Sequence, residues 1–210
     1  WTCWEFWEGT DLRTEFCEVK RSSPRGDVFV VGARLVLTNY HKLERRFALY
    51  VALRPVGPSG GPVKELAVGD AGDALLVDGH AALVANQMPT GAGVSATDNA
   101  GGLAAAGRLP GEKNAVSPEG NCSGALRYEI ILAPGEKKTL SFVCPVLPGR
   151  RAVGHKWDGV SKWAQFDLNK PNPSGGGVLQ PDPGLAYYRG INADTLFEEA
   201  AVYWKDLSGC

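Results

Sequence analysis

Few residues of this chain have the type and spacing for chemistry, and they are scattered. Its five cysteines are Cys3, Cys17, Cys122, Cys144 and Cys210, and its three histidines are His41, His80 and His155. There is no C-x-x-C pair, and no two histidines lie close enough for one helix or turn to present both to a metal. No metal and no cofactor are therefore expected. A disulfide is the more definite reading. Cys3 and Cys17 flank the turn-like Glu8-Gly9-Thr10-Asp11, so a hairpin would bring them within bridging distance, and a bridge would favour an extracellular or periplasmic location. Small buried thiols in a reducing compartment are the alternative.

The carboxylates permit two readings. Glu5, Glu8, Asp11 and Glu15 on one hairpin offer a pair about 5–9 Å apart, as glycoside hydrolysis requires, but their alternation equally suits a solvated strand face. Asp70, Asp73 and Asp78 are acidic enough for calcium but lack the spacing of a calcium loop. The chain has no phosphate loop, no H-E-x-x-H and no G-x-G-x-x-G opening a helix. No catalytic residue is assigned.

The aromatics say more. Trp157 and Trp163 flank Asp158 in a loop-like stretch with polar neighbours. Flat indole faces beside hydrogen-bonding groups suit a sugar, whose C–H face stacks while its hydroxyls bond sideways. Trp157, Asp158 and Trp163 are thus the candidate ligand-binding residues. The competing reading is that these indoles plug an end of the fold or pack against a partner. With 22 Lys plus Arg against 23 Asp plus Glu, no basic field exists to hold nucleic acid. No apolar run reaches the roughly 20 residues of a membrane span, so no membrane is expected among the partners.

The elements that must position these residues read as short strands. The 27 glycines and 14 prolines point to many turns. Leu75–Val77 and His80–Val84, joined by Asp78-Gly79, predict a tight hairpin, because a two-residue type I′ turn needs positive φ at both central positions. Leu126–Leu132 and Lys138–Cys144 predict a second hairpin around Pro134-Gly135. Phe47–Leu53 is a nearly continuous apolar run, as expected of a strand buried on both faces. Thr90–Gly120 and Asn169–Gly184 read as long irregular excursions. The last segment predicts one helix over 194–207, capped by Asn192 or Asp194, with Leu196, Ala200, Tyr203, Trp204 and Leu207 on one apolar stripe. Strands at hairpin spacing, no βαβ alternation and one terminal helix predict a mainly β fold, an antiparallel β-sandwich, with a closed barrel as the other possibility.

The order of these features resembles a known family. An aromatic start precedes the strands around Leu35-Val36-Leu37-Thr38-Asn39 and Phe47–Pro55, and the Leu76-Val77-Asp78-Gly79-His80 hairpin follows. Leu132-Ala133-Pro134-Gly135-Glu136-Lys137 and a helix with Ala200-Ala201-Val202-Tyr203-Trp204-Lys205 complete the series. Together they resemble the N-terminal super-sandwich (galactose-mutarotase-like) domain of bacterial glycoside hydrolases and phosphorylases whose catalytic part is an α/α-barrel. The resemblance implies a β-sandwich domain over 1–190 and a helix over 191–210 that leads toward such a barrel. It implies a non-catalytic accessory role, possible contact with carbohydrate, and Tyr203 and Trp204 as interface residues. The family's acid and base lie in the barrel, so none transfers to this chain. The alternative is a free-standing mutarotase- or lyase-like enzyme with a histidine–carboxylate pair, for which His80 and His155 are the available bases.

Overall fold

A computed structural model describes residues 2–6, 9–55, 62–146, 148–149, 151–152 and 178–208. Alternating apolar and polar residues give the long strands their two-faced character. β1 (Thr2–Phe6), β2 (Thr10–Ser23) and β3 (Gly26–Asn39) are followed by β4 (Arg45–Leu53), β5 (Glu65–Val68), β6 (Ala74–Val77), β7 (His80–Ala85) and β8 (Gly91–Ser95). After helix α1 (Ala100–Ala105) come β9 (Asn114–Val116), β10 (Ser123–Leu132), β11 (Lys137–Pro145), β12 (Arg151–Ala152) and β13 (Val178–Leu179). Helices α2 (Leu185–Arg189) and α3 (Ala193–Ser208) end the described chain.

The strands form an eight-stranded antiparallel sheet, β1-β2-β3-β11-β7-β6-β5-β9, and a three-stranded one, β4-β10-β8. One face of the large sheet packs on the small one. Leu66, Leu75, Leu140 and Phe142 meet Val94, Leu126, Tyr128 and Leu132, and Tyr128 stands edge-on to Phe142 at 5.9 Å between centroids. The opposite face buries Val30, Val84 and Val143 under Tyr188, Ile191 and Leu196 of the α2–α3 region. Phe142 and Val143 are chain neighbours that enter different cores, because successive side chains on a strand point to opposite faces. The mainly β, antiparallel sandwich with its C-terminal helix is as expected.

The local signals fared unequally. The β6–β7 hairpin turns at Asp78 (φ 51°) and Gly79 (φ 81°), as the Asp-Gly pair requires. The helix spans Ala193–Ser208, and Asn192 caps it: its Oδ1 accepts the Asp194 N–H at 2.9 Å. The second expected hairpin is not a ladder. β10 pairs with β4 and β8 while β11 pairs with β3 and β7, so Ala133–Glu136 carries the chain from one sheet to the other. β3 and β4 likewise belong to different sheets. Phe47–Leu53 is an edge strand: Phe47, Leu49, Val51 and Leu53 are partly buried against the core, and Ala48 and Ala52 on the other face are exposed. Thr90–Gly120 is not irregular: it holds β8, α1 and β9.

The register overturns the expected disulfide. Cys3 stands opposite Arg13, whereas Cys17 stands opposite Gly32 on the next strand. Cys17 lies four positions beyond Arg13 on its strand, about 13 Å away, and bridged Cα atoms lie within about 7 Å. Cys17 is a free thiol, as are Cys122 and Cys144. Burial raises the pKa of all three, that of Cys144 to about 11.

Candidate functional site

Three connections converge at one end of the three-stranded sheet: the residues after β4, those between β8 and α1, and those between β9 and β10. The last two carry between them Ser and Asn residues, whose side chains bond nearby backbone and so fix loops. Ser95 Oγ accepts the N–H groups of Thr97 (3.2 Å) and Asp98 (3.0 Å). The buried Ser123 hydroxyl donates to Asp98 O at 2.8 Å and accepts the Ala100 N–H at 2.9 Å, tying the β8–α1 connection to the start of β10. Asn99 Oδ1 caps α1 by accepting from Gly101 N at 2.9 Å. On the facing connection, Ser117 Oγ accepts the Asn121 N–H at 3.2 Å and donates to Glu119 Oε2 at 3.3 Å. Gly120 (φ 79°) packs so tightly on Pro62 that a Cβ there would collide with it.

Residues of these connections line an open cleft of about 560 Å³. Arg54, Asp98, Asn99, Glu119 and Asn121 contribute its polar lining. The Arg54 guanidinium, the Asp98 carboxylate and the Asn121 amide have no partner among the described residues. The backbone is therefore fixed while the outermost donors and acceptors stay available.

A second polar feature lies beside the β6–β7 turn. His80 Nδ1 donates to Asp182 Oδ2 at 2.5 Å, and Asp182 Oδ1 accepts the Gly184 N–H at 2.9 Å. Gly149, at φ 69°, lies against the imidazole so closely that a side chain there would strike the ring. Arg25 reaches Asp182 O at 3.1 Å. A carboxylate oxygen only accepts, so Nδ1 is the donor of this bond.

The third feature is α3. Its first half is anchored: Asn86 Oδ1 accepts from Ala193 N at 2.8 Å, and Asn86 Nδ2 donates to Ile191 O at 2.8 Å. Arg34 stacks 3.8 Å above the Phe197 ring and pairs with Glu15 at 2.9 Å and Asp194 at 3.6 Å. Gly32 lets Leu196 sit close to the sheet, since a Cβ there would lie 3.1 Å from Leu196 Cδ1. Leu196 and Ala200 are buried, but Val202, Tyr203 and Trp204 are 61%, 60% and 66% exposed, with the two aromatic rings edge to face at 5.7 Å. The apolar stripe outruns the surface that covers it.

Of the residues singled out in the sequence, Trp157, Asp158, Trp163, His155, Glu8 and Cys210 lie outside the described residues. Glu15 is held by Arg34 and by Arg13 at 2.5 Å, as a structural ion pair. Asp70 and Asp73 bind no calcium-like arrangement. Both are engaged by Arg189 of α2, which is bidentate on Asp73 (2.7 and 2.8 Å) and reaches Asp70 at 2.5 Å. These bonds raise the guanidinium pKa and lower that of Asp70. No group of three or more His, Cys, Asp or Glu suited to a metal occurs among the described residues. Nor is any described helix long and apolar enough to cross a membrane. No known protein family matches the chain, and no curated relative is found.

Proposed function

We propose that this chain is a non-catalytic accessory domain of a carbohydrate-active enzyme, buttressing an α/α-barrel catalytic domain through the free end of α3. One observation carries the reading: a single helix buries Leu196 and Ala200 against the sheet and leaves Val202, Tyr203 and Trp204 bare within the following turn. Such a helix end is a docking element, because exposed aromatic clusters on monomers mark interaction surfaces. The sandwich architecture, the helix position and the resemblance of the segment Ala200–Lys205 to the family's exit helix support the same assignment.

The test is the reading frame together with the helix. Sequencing the frame around this segment should reveal an α/α-barrel on the C-terminal side of α3. In protein that carries both domains, Tyr203→Ala/Trp204→Ala should loosen the junction and lower the unfolding midpoint, while the same pair of changes in the 210-residue chain should leave its midpoint unmoved. A frame without a barrel, or an equal effect in both settings, rejects the proposal.

The His80–Asp182 pair favours a second reading, an enzyme of mutarotase or lyase type. A carboxylate on Nδ1 leaves Nε2 as a base able to take a proton from a sugar hydroxyl or from the carbon beside a uronic carboxylate. Polarimetry of freshly dissolved glucose and galactose, and absorbance on a uronate polymer, decide between the two. The accessory reading expects no turnover. Turnover abolished by His80→Ala in folded protein would establish the enzyme.

A further inference from the structure

We propose that the cleft lined by Arg54, Asp98, Asn99, Glu119 and Asn121 is a binding site for a neutral saccharide of one or two rings. This deepens the accessory-domain reading and rests on it for the biological context, but its chemistry comes from the cleft itself. Planar polar side chains are what vicinal hydroxyls require. A guanidinium or amide donates to a hydroxyl oxygen, and a carboxylate accepts from the neighbouring O–H. The cleft brings both kinds together from three separate connections.

Its volume of about 560 Å³ lies within the ordinary range of small-molecule sites, roughly 300–1,000 Å³. Its charge excludes other ligand classes. Asp98 and Glu119 oppose a phosphate or a free uronate, while Arg54 opposes a simple cation. With no large apolar side chain in the lining, an apolar peptide anchor would find no pocket.

Preorganisation is the decisive property. The hydrogen bonds of Ser95, Ser117 and Ser123 hold the backbone at 95–100 and 117–121 before any ligand arrives. Meanwhile the ends of Arg54, Asp98 and Asn121 remain without partners among the described residues. A site whose backbone is already ordered loses less entropy on binding. The cleft has no aromatic platform, so binding rests on hydrogen bonds alone and is expected to be weak, with rapid exchange.

The experiment is a titration of the ¹⁵N-labelled chain with D-glucose, D-galactose, D-mannose, maltose and cellobiose, followed by amide chemical shifts. At least one sugar should move the amides of 96–99 and 119–123 in a saturable way. Arg54→Ala and Asp98→Ala should each weaken that binding about tenfold, as expected for losing a hydrogen bond from a charged group. Both variants should melt like the parent, because the side chains are exposed. Glucuronate should bind more weakly than glucose. No saturable shift with any of the five sugars overturns the proposal. So do shifts confined to another surface, unchanged affinity in both variants, or tighter binding of glucuronate. A failed titration beside a successful helix-junction test would remove the sugar site and leave the accessory domain standing.

Discussion

The two ends of the three-stranded sheet finish differently. At one end, Leu132 of β10 stands opposite Arg45 of β4, and Asn39 of the large sheet reaches across. The Asn39 Nδ2 group donates to Leu43 O (2.9 Å), Leu132 O (3.0 Å) and Ala133 O (3.2 Å), and its Oδ1 accepts from His41 N at 3.0 Å. Its backbone bonds Glu136 O and Gly135 N as well. Every arm of this fully buried amide is engaged, and the end is sealed. At the other end, Gly124 of β10 stands opposite Leu53 of β4, and there the serine hydroxyls fix the backbone while the ends of Arg54, Asp98 and Asn121 have no partner among the described residues. Polar side chains close one end and furnish the other. What separates structure from site here is not composition but whether the side chain's polar atoms are used up within the chain.

The contrast predicts a graded series of mutational effects. The largest belongs to Asn39→Ala, which strands Leu132 O at a buried position and frees the partly buried Leu43 O and His41 N–H, while Ala133 O keeps its bond from Glu136 N. A loss of about 2–3 kcal/mol is expected, since an unsatisfied buried group costs roughly 1–3 kcal/mol and water can meet the partly buried ones. Urea denaturation measures it, and a loss under about 1 kcal/mol would show that this end is not sealed by the amide. Ser123→Ala comes next, at about 1–2 kcal/mol. It removes two hydrogen bonds from a buried hydroxyl but leaves the Asp98 carbonyl near solvent. The same variant should broaden the amide signals of 98–100, because that connection loses its tie to β10.

How much of this was legible in the sequence depended on the range of the interaction. Asp78-Gly79 announced its hairpin because the turn's φ demands are met by those two residues alone. Asn192 and the Leu196–Ala200 spacing announced α3 for the same reason. Pro134-Gly135 was misread, since turn chemistry bends the chain without saying whether its flanks pair or part into facing sheets. Cys3 and Cys17 misled in a related way: two cysteines around a turn imply a bridge only if the register aligns them, and it aligns Cys3 with Arg13. The stripe through Leu196, Tyr203 and Trp204 is periodic throughout, so nothing in it marks where the covering sheet stops. The cleft was invisible for the strongest reason. Arg54, Asp98 and Asn121 are unremarkable loop residues one at a time, and only the pairing of β4, β8 and β10 in one sheet brings them together.

A third effect is smaller and depends on pH. Asp70 is an exposed carboxylate whose pKa is lowered by its bond to Arg189 and by the Ala71 N–H. A depressed folded-state pKa contributes stability above the unfolded value of about 3.9, and that stability is lost as pH falls through the folded value. The parent should therefore resist urea better than Asp70→Asn at neutral pH. The gap should close as the solution is acidified below the ordinary carboxylate range. A gap that persists in acid would mean that the asparagine perturbs the β5–β6 turn itself, and that the ion pair with α2 contributes nothing measurable.

The smallest effect is the most informative about the open end. Arg54→Ala and Asp98→Ala should each change stability by no more than about 0.5 kcal/mol, the usual range for surface positions without partners. Their double variant should equal the sum of the two within about 0.3–0.5 kcal/mol, because groups that do not bond one another show no coupling. If Asp98→Ala instead cost 2 kcal/mol or more, its carboxylate would be holding the β8–α1 connection much as Asn39 holds the opposite end. A coupling above about 1 kcal/mol would mean that Arg54 and Asp98 pair across the cleft in solution, and a sugar would then have to break that pair before binding. Only the near-zero, additive result leaves both charged ends directed outward on a fixed backbone, which is the condition a polar ligand needs in order to be met without rearrangement.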